Sequence, residues 1–197
     1  MKKGWLVLIL VLLPSALLAQ SAVSVTYANG PIEVLSASGR TFQPMAASVK
    51  LLQVGDQVRT GNGASIQLAM PDGSYMVVTQ NSTVTIQDSW SSGLRNIMRV
   101  TLGKVWFYIS RPGGGTNPIR VGTPTALIAV KGTTFEVTVD DALYTEVRCE
   151  EGMVGVEAIG HSDREVIIRP GFHTQVRPGE VPSTPIALNE AFPPREL

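Results

Sequence analysis

Few side chains in this chain could carry out acid–base or nucleophilic chemistry, because its 197 residues include two histidines and one cysteine. A hydrolase needs a nucleophile, a base and an orienting acid within reach of one another. Neither His161 nor His173 lies in a recognisable nucleophile motif, although spacing alone permits a pair between Cys149 and His173. Cys149 shares a side with Val147 in an alternating run, which predicts a buried and therefore inert thiol. We predict that the chain is not an enzyme.

Ligands for a metal or a cofactor are equally sparse. Asp140 and Asp141 are adjacent at a predicted turn, but the spaced acidic loop and terminal glutamate of a calcium site do not surround them. The histidines lack the spaced cysteine or acidic partners of a zinc site. The glycine-rich run at residues 111–118 lacks the Gly-Lys-Ser/Thr ending of a phosphate-binding loop. We therefore predict no metal and no cofactor.

The composition is typical of a folded chain without a nucleic-acid partner. Hydrophobic residues make up 44% of the chain and charged residues 16%, which excludes bulk disorder and provides enough apolar side chains for a core. The formal net charge is zero, so no basic excess is present to neutralise a phosphate backbone. The 19 glycines and 13 prolines favour many short strands and turns.

Residues 1–19 have the pattern of a secretory signal peptide. Lys2 and Lys3 precede an apolar run at residues 5–13, and Ala19 offers a small residue for cleavage. The alternative is an uncleaved anchor, although the run is shorter than the roughly 20 residues that span a bilayer. Cleavage after Ala19 removes two of the 16 basic residues and leaves 16 acidic ones, for a charge of about −2. We predict a periplasmic or secreted protein with no stable membrane span after cleavage.

Beyond this leader, apolar and polar residues alternate in short segments separated by Gly and Pro turns, which predicts one all-β domain over residues 20–179. Residues 133–139 and 144–149 are predicted to pair as a hairpin. Residues 36–45 are predicted as a loop, and His161 lies in a predicted turn. Residues 180–197 are rich in proline and predict an extended tail whose apolar residues could cover a sheet edge.

An apolar run at residues 126–130 predicts a strand that is buried on both faces, and the chain is expected to bend at the glycine that follows it, Gly132. A coarse repeat, Gly-x-apolar-x-apolar, begins at Gly30, Gly103 and Gly152. The unequal spacing of these three segments excludes a strict solenoid period.

The strand predicted at residues 97–109 carries apolar side chains on both faces. Alternation places two groups on opposite faces, Trp106 with Tyr108 and Val105 with Phe107 and Ile109. A strand with two apolar faces must lie between layers, beneath a loop or against a partner. Trp106 and Tyr108 are therefore candidate partner-binding residues, together with Trp90 from the loop predicted at residues 88–96. Burial beneath that loop or the C-terminal tail is the alternative interpretation.

Residues 123–137, TPTALIAVKGTTFEV, resemble the Thr-Pro-Thr, short apolar run and basic-Gly-Thr-x-Phe signature of the FecR domain. Residues 55–61 and 68–74 resemble the Gly-Asp…Arg-Thr-Gly and Leu-x-x-x-Asp-Gly-Ser elements of that family, and residues 151–156 its Gly-x-Val element. The signature positions, which we expect to be structural, are Asp56, Arg59, Thr60, Gly61, Asp72, Gly73, Ser74, Thr123, Pro124, Lys131, Gly132, Thr133 and Phe135. Lys131 stands where the family more often has Arg, so a bidentate contact is not expected there.

The resemblance covers residues 49–177 and implies a twisted, β-solenoid-like stack of short strands; a β-sandwich is the alternative architecture. The family is named for periplasmic proteins that relay iron–siderophore signals. Its signalling members are expected to carry a cytoplasmic anti-sigma region and a membrane span before this domain. Only residues 1–3 precede the apolar run here, so we expect that the anti-sigma region is missing and that direct transcriptional control is not the role.

The function that the resemblance implies is that of a non-enzymatic, exported module of the bacterial cell envelope. We expect it to bind an envelope protein in sensing, signalling or scaffolding, by strand addition to an open sheet edge or by docking on Trp106 and Tyr108. The alternative, from a different class, is a carbohydrate or peptidoglycan-binding module in which Trp90, Trp106 and Tyr108 stack on sugars.

Overall fold

The computed structural model describes residues 23–70, 72–87, 95–110 and 119–189, in which strands and turns are present and helices are not. The all-β prediction is therefore confirmed. The strands are β1 (Val23–Asn29), β2 (Ile32–Leu35), β3 (Gln43–Pro44), β4 (Leu51–Leu52), β5 (Gln57–Thr60), β6 (Ser65–Ala69), β7 (Tyr75–Val78), β8 (Thr83–Ile86), β9 (Arg95–Tyr108), β10 (Ile119–Gly122), β11 (Ala126–Val130), β12 (Thr134–Val139), β13 (Thr145–Glu151), β14 (Val154–Ala158), β15 (His161–Ile168), β16 (Phe172–Val176) and β17 (Ile186–Ala187). Across these four segments, no helix is available that is long and apolar enough to cross a membrane.

The strands pair into one mixed 17-stranded sheet that lies in two layers. Layer A runs β4-β1-β6-β7-β9-β12-β13-β16-β17. Layer B runs β3-β2-β5-β8-β9-β10-β11-β14-β15. Neighbouring strands are antiparallel except for β9 and β10, which are parallel. The sheet does not close, so β3 and β4 form its edges at one end, and β15 and β17 form them at the other.

Strand β9 belongs to both layers. Its first half pairs with β8 and β10 in layer B, and its second half, from Gly103 onward, pairs with β7 and β12 in layer A. Gly103 lies at the change of layer with φ of +86°, a backbone conformation that glycine adopts without steric cost. The strand therefore connects the two layers at the middle of the molecule.

One hydrophobic core lies between the layers, because every second residue of each central strand points inward. Its largest fully buried side chains include Phe107 of β9 and Phe135 of β12, whose rings stack with centroids 4.8 Å apart. Burial of a side chain of this size stabilises the fold by about 1.5–3 kcal/mol. Because Phe135 belongs to the predicted signature, that part of the signature contributes directly to the core.

The predicted Gly-x-apolar-x-apolar repeat marks places where the chain crosses from one layer to the other. Gly30, Gly103 and Gly152 all have positive φ, and each stands at such a crossing. The bend predicted at Gly132 is also confirmed, because its φ is +64° and it joins β11 in layer B to β12 in layer A. These corners stack on one another: a Cβ on Gly152 would lie 2.9 Å from the carbonyl oxygen of Gly132. The stacked corners resemble those of a solenoid, whereas the antiparallel hairpins are those of a sandwich.

Three details differ from the sequence-based expectations. The run at residues 126–130 is fully buried on one face only, because Leu127 and Ala129 are partly exposed on the outside of layer B. The predicted loop at residues 36–45 contains the short strand β3, and His161 begins β15 rather than lying in the turn before it. An apolar outward-facing residue gives no sequence signal of its exposure, so the periodicity could not separate one dry face from two.

The C-terminal tail contributes one short strand to the part of the chain that the structure describes. Ile186 and Ala187 form β17 alongside β16, and the N–H of Leu188 donates to the carbonyl oxygen of Gly171 at 2.9 Å. These residues lie along the edge of layer A. The predicted leader and residues 190–197 lie outside the described residues.

Candidate functional site

The first group of signature residues holds turns and corners. The carboxylate of Asp56 accepts the backbone N–H of Ala37 and that of Gln53, each at 2.9 Å. Thr60 is buried and its hydroxyl donates to the carbonyl oxygen of Thr79 at 2.6 Å. Both side chains therefore join separate backbone segments through side-chain-to-backbone hydrogen bonds, which is a contribution to the fold.

Gly61 and the turn at residues 72–74 bring backbone segments close together. A Cβ on Gly61 would lie 2.9 Å from Cγ of Pro31. In the turn, the Asp72 carboxylate accepts the N–H of Ser74 at 2.9 Å, and Gly73 has φ of +82°. The Ser74 hydroxyl accepts the N–H of Ser110 at 3.0 Å and so ties this turn to the end of β9. The predicted partner of Gly73 in the turn, Pro71, lies outside the described residues.

The Thr-Pro-Thr element forms a buried cluster of hydroxyl groups with a residue from a distant strand. The hydroxyl of Thr123 accepts the N–H of Ala126 at 2.8 Å and the hydroxyl of Thr145 at 2.8 Å. Thr125 lies 2.7 Å from Thr145 as well. Pro124 is partly buried between these threonines. The cluster joins the β10–β11 turn to the start of β13.

The remaining signature positions lie at the corner after β11 and on β5. Lys131 is exposed at that corner, and Thr133 behind it is buried. Arg59 on β5 is exposed and pairs with Glu33, with Nη2 at 2.6 Å from Oε2, while its guanidinium lies over the ring of Phe42 at 4.2 Å. The signature therefore does not converge on one pocket.

The structure separates the cysteine and the histidine that could have formed a catalytic pair. Cys149 is opposite Phe172 and His173 is opposite Arg148 in adjacent positions of the β13–β16 ladder, so their side chains point to opposite faces of layer A. Cys149 is fully buried, as predicted, and its burial, with a smaller effect of Glu150, raises the pKa of the thiol to about 11. Such a thiol is not a nucleophile at neutral pH.

His173 is hydrogen-bonded to a carboxylate on the neighbouring strand. Its Nδ1 lies 2.6 Å from Oε1 of Glu146, which orients the ring against the outer face of layer A. Within the described ranges, no group of three or more His, Cys, Asp or Glu residues is placed to bind a metal ion.

Aromatic side chains form a surface on the outside of layer A, which we call the aromatic face and define as Tyr75, Trp106 and Tyr108. Tyr75 and Tyr108 are opposite each other in the ladder of β7 and β9, and their rings stack with centroids 4.4 Å apart and an angle of 11°. All three side chains are partly exposed. The alternation predicted for β9 is thus confirmed, with Val105 and Phe107 in the core. Trp90 lies outside the described residues.

Ionisable side chains continue this surface across β9, β12, β13 and β16. We call this group the ionic row; it consists of Lys104, Glu136, Glu146, Arg148 and His173. Nζ of Lys104 lies 3.0 Å from Glu136, and Nε of Arg148 lies 2.7 Å from Glu146 and 3.8 Å from Glu136. Glu136 is directly opposite Trp106, so the aromatic face and the ionic row meet there. The sequence alone does not reveal this row, because its members come from strands that are distant in the chain.

A cleft of about 490 Å³ opens on the outside of layer B, on the other side of the molecule. Its walls are mainly apolar, and the Arg59–Glu33 ion pair lies along one side. The residues that line it are Pro31, Ile32, Glu33, Pro44, Arg59, Thr60, Gly61, Asn81, Thr83 and Leu102. The Arg59 guanidinium is held there by Glu33 and by the ring of Phe42.

Known proteins give two similarities. The family model described as FecR protein matches residues 56–155. Two crystal structures of a candidate anti-sigma factor from Parabacteroides distasonis share the fold, each with a TM-score of 0.53 and 20% sequence identity over 65% of this chain. The match covers 59% of that protein, so the present chain spans less than two thirds of its length. A comparison with curated protein sequences gives no significant match.

Proposed function

The chain belongs to the FecR family, and from this premise we propose that it is a non-enzymatic module of the bacterial cell envelope that binds a partner protein in sensing or signalling. Two features of the described residues support a binding role over catalysis. The cysteine is buried on the opposite face from His173, and both carboxylates of the ionic row are engaged by neighbouring cations. The similar fold of a candidate anti-sigma factor agrees with a regulatory role.

The observation that carries this proposal is the aromatic face. Trp106, Tyr108 and Tyr75 expose part of their rings at the centre of layer A, in a position that the core does not require. Tyrosine and tryptophan are the residues that most often dominate protein–protein interfaces, because they bury a large area at low entropic cost. A rigid β-sheet also presents them with little reorganisation on binding.

Export belongs to the same proposal. Its support is the sequence of residues 1–19, with two lysines, an apolar run and Ala19 at the expected cleavage position. Expression in a Gram-negative host followed by fractionation and intact-mass measurement provides the test. We expect a product that begins at Gln20 in the periplasm or the medium. A full-length product that remains in the cytosol would contradict export.

Site-specific crosslinking tests the binding role directly. A photoreactive p-benzoylphenylalanine replaces Tyr108 on the aromatic face, and a matched variant carries it at Thr85, on the outer face of layer B. We expect illumination of intact cells to join a distinct envelope protein to the Tyr108 variant only. The absence of an adduct at Tyr108, or the same adducts at both positions, would refute binding through the aromatic face.

Trp106→Ala separates this role from burial of the indole beneath a loop or the tail. If Trp106 contacts a partner, the Trp106→Ala variant unfolds as cooperatively as the parent and no longer forms the crosslinked adduct at position 108. Loss of folding would instead identify Trp106 as a core residue.

Sedimentation with purified peptidoglycan tests the alternative function. Tyr108 stacks one ring face on Tyr75, so only its other face is open to a sugar. Co-sedimentation that disappears in Trp106→Ala would favour a carbohydrate-binding module.

A further inference from the structure

We propose that the outer face of layer A receives an acidic segment of the partner, with a carboxylate bound by Arg148 and an apolar side chain packed against Trp106. This inference rests on the proposed function, because it specifies the chemistry of the partner at the same face. It makes the ionic row part of the binding surface together with the aromatic face.

The charged groups of the ionic row lie at different depths below the surface. The side chain of Glu136 is 3% exposed and that of Glu146 is 23% exposed, whereas Lys104 and Arg148 are 43% and 40% exposed. The carboxylates therefore lie beneath the cations, and an approaching molecule meets N–H donors first. Although the two cations and the two carboxylates balance in number, the cations are the more exposed members, so the outermost part of this surface is complementary to an acidic group.

Arg148 is held in an orientation that suits a carboxylate. Its Nε is bound to Glu146 at 2.7 Å, which fixes the plane of the guanidinium, and Glu136 lies 3.8 Å away on the same nitrogen. The Arg148 side chain is nevertheless 40% exposed, so part of it faces solvent beyond these two carboxylates. A guanidinium edge of this kind binds a carboxylate through two parallel N–H···O bonds.

The distance between the two anchor points defines the ligand. Trp106, Glu136 and Arg148 are consecutive positions of one row across β9, β12 and β13. Two strand spacings separate Trp106 from Arg148, which is about 10 Å. A small carboxylic acid would reach one anchor only. A protein segment with an Asp or Glu and an aromatic or aliphatic side chain about that far apart would reach both, which gives specificity as well as affinity.

Two fluorescein-labelled synthetic decapeptides with identical aromatic and aliphatic residues provide the probe. One carries Glu and the other Lys at the remaining positions. Fluorescence anisotropy measures their binding to the protein that begins at Gln20. We expect the Glu peptide to bind, with an affinity that falls several-fold at high salt. Its affinity should exceed that of the Lys peptide by at least tenfold. Equal binding of the two peptides, or no binding of the Glu peptide at about 1 mM, would overturn the inference.

Arg148→Lys is the variant of choice, because a lysine keeps the positive charge next to Glu146 while it removes the two-pronged donor. We expect this change to lower the affinity for the Glu peptide by roughly fivefold to tenfold without altering the unfolding transition of the protein. Arg164→Lys is the matched control, since Arg164 is exposed on β15 at the edge of layer B. An equal effect of both variants would refute a specific role of Arg148.

Mapping of the crosslinked segment separates this inference from the function on which it rests. If Tyr108 captures an envelope protein through a segment that contains Asp or Glu close to an apolar residue, both stand. If the captured segment has no acidic residue, the acidic specificity fails and partner binding survives. If no adduct forms, both fail.

Discussion

Substitution of Gly103 by alanine tests the stacked corners on which the two-layer arrangement depends. Gly103 has φ of +86°, and a Cβ built on it would lie 2.5 Å from Cα of Ser82 and 2.6 Å from its Cβ. Ser82 cannot easily withdraw, because its hydroxyl accepts the N–H of Lys104 at 3.0 Å and its N–H donates to Thr60. The substitution therefore combines an unfavourable backbone conformation with a clash against the neighbouring corner.

Gly160→Ala is a control with the same backbone geometry. Gly160 also has φ of +86°, but no atom lies within 4 Å of the position that a Cβ would take there. The left-handed conformation costs an L-residue about 1–2 kcal/mol. Alanine also reduces the conformational entropy of the unfolded chain, which offsets roughly 0.4–1 kcal/mol of this cost. We therefore expect Gly160→Ala to lower the free energy of unfolding by about 1 kcal/mol. Gly103→Ala should lose an additional 1–3 kcal/mol from overpacking, for a total of roughly 2–4 kcal/mol.

Urea unfolding of both variants, followed by the fluorescence of the tryptophans, measures the difference between them. For a protein of this size, each kcal/mol corresponds to about 2–4 °C in Tm, so thermal unfolding should show Gly103→Ala several degrees below Gly160→Ala. Equal losses in the two variants would mean that the corner at Gly103 is not packed against Ser82. The account of the repeat as a set of stacked layer crossings would then be wrong.

Substitutions at three further positions test side chains that the fold relies on. Asp56→Ala should lower the free energy of unfolding by about 2–3 kcal/mol, because two backbone N–H groups lose their acceptor. Asp56→Asn should lower it less, and identical losses would contradict the role of Asp56 as a hydrogen-bond acceptor. Thr145→Val should cost about 1–3 kcal/mol, since Thr123 and Thr125 both bond its hydroxyl; a neutral effect on chemical denaturation would refute the cluster. Cys149 titrates near 9.0 in the unfolded chain but near 11 in the folded one, so its contribution to stability is full below pH 9 and is lost as the pH rises towards 11. Urea titrations should show this loss in the parent relative to Cys149→Ala, and parallel curves would argue against burial of the thiol.

The local parts of the fold could be predicted from the sequence. The hairpin of β12 and β13 is formed by two alternating segments with a short connection, and Gly132 gave a clear signal for a bend. Strand β9 (Arg95–Tyr108) was predicted as a single strand at residues 97–109, although Gly103 interrupts its alternation. Its four neighbours, β7, β8, β10 and β12, are determined by which strands pair with it, and periodicity does not encode that choice.

The candidate site shows the same division. Alternation placed Trp106 and Tyr108 on one face of β9, but it could not place Tyr75 against Tyr108, because cross-strand neighbours depend on register. Glu136 follows Phe135 in an alternating strand, and its outward position could be inferred. Its near-complete burial could not, since that depends on Lys104 and the other side chains that surround it on layer A.

The core and the proposed docking surface are coupled because they share strand β9. Val105 and Phe107 are completely buried, and the residues between them and beside them face outward. A shift of the β9 register by one residue would place Lys104 and Trp106 in the core and expose Phe107. Burial of a lysine without a partner is far more costly than any gain from an alternative pairing, so the core holds the register. The separation of about 10 Å between Trp106 and Arg148 is therefore fixed by inward-facing residues that no partner touches. Substitutions at those positions should weaken partner binding only as far as they disturb this register.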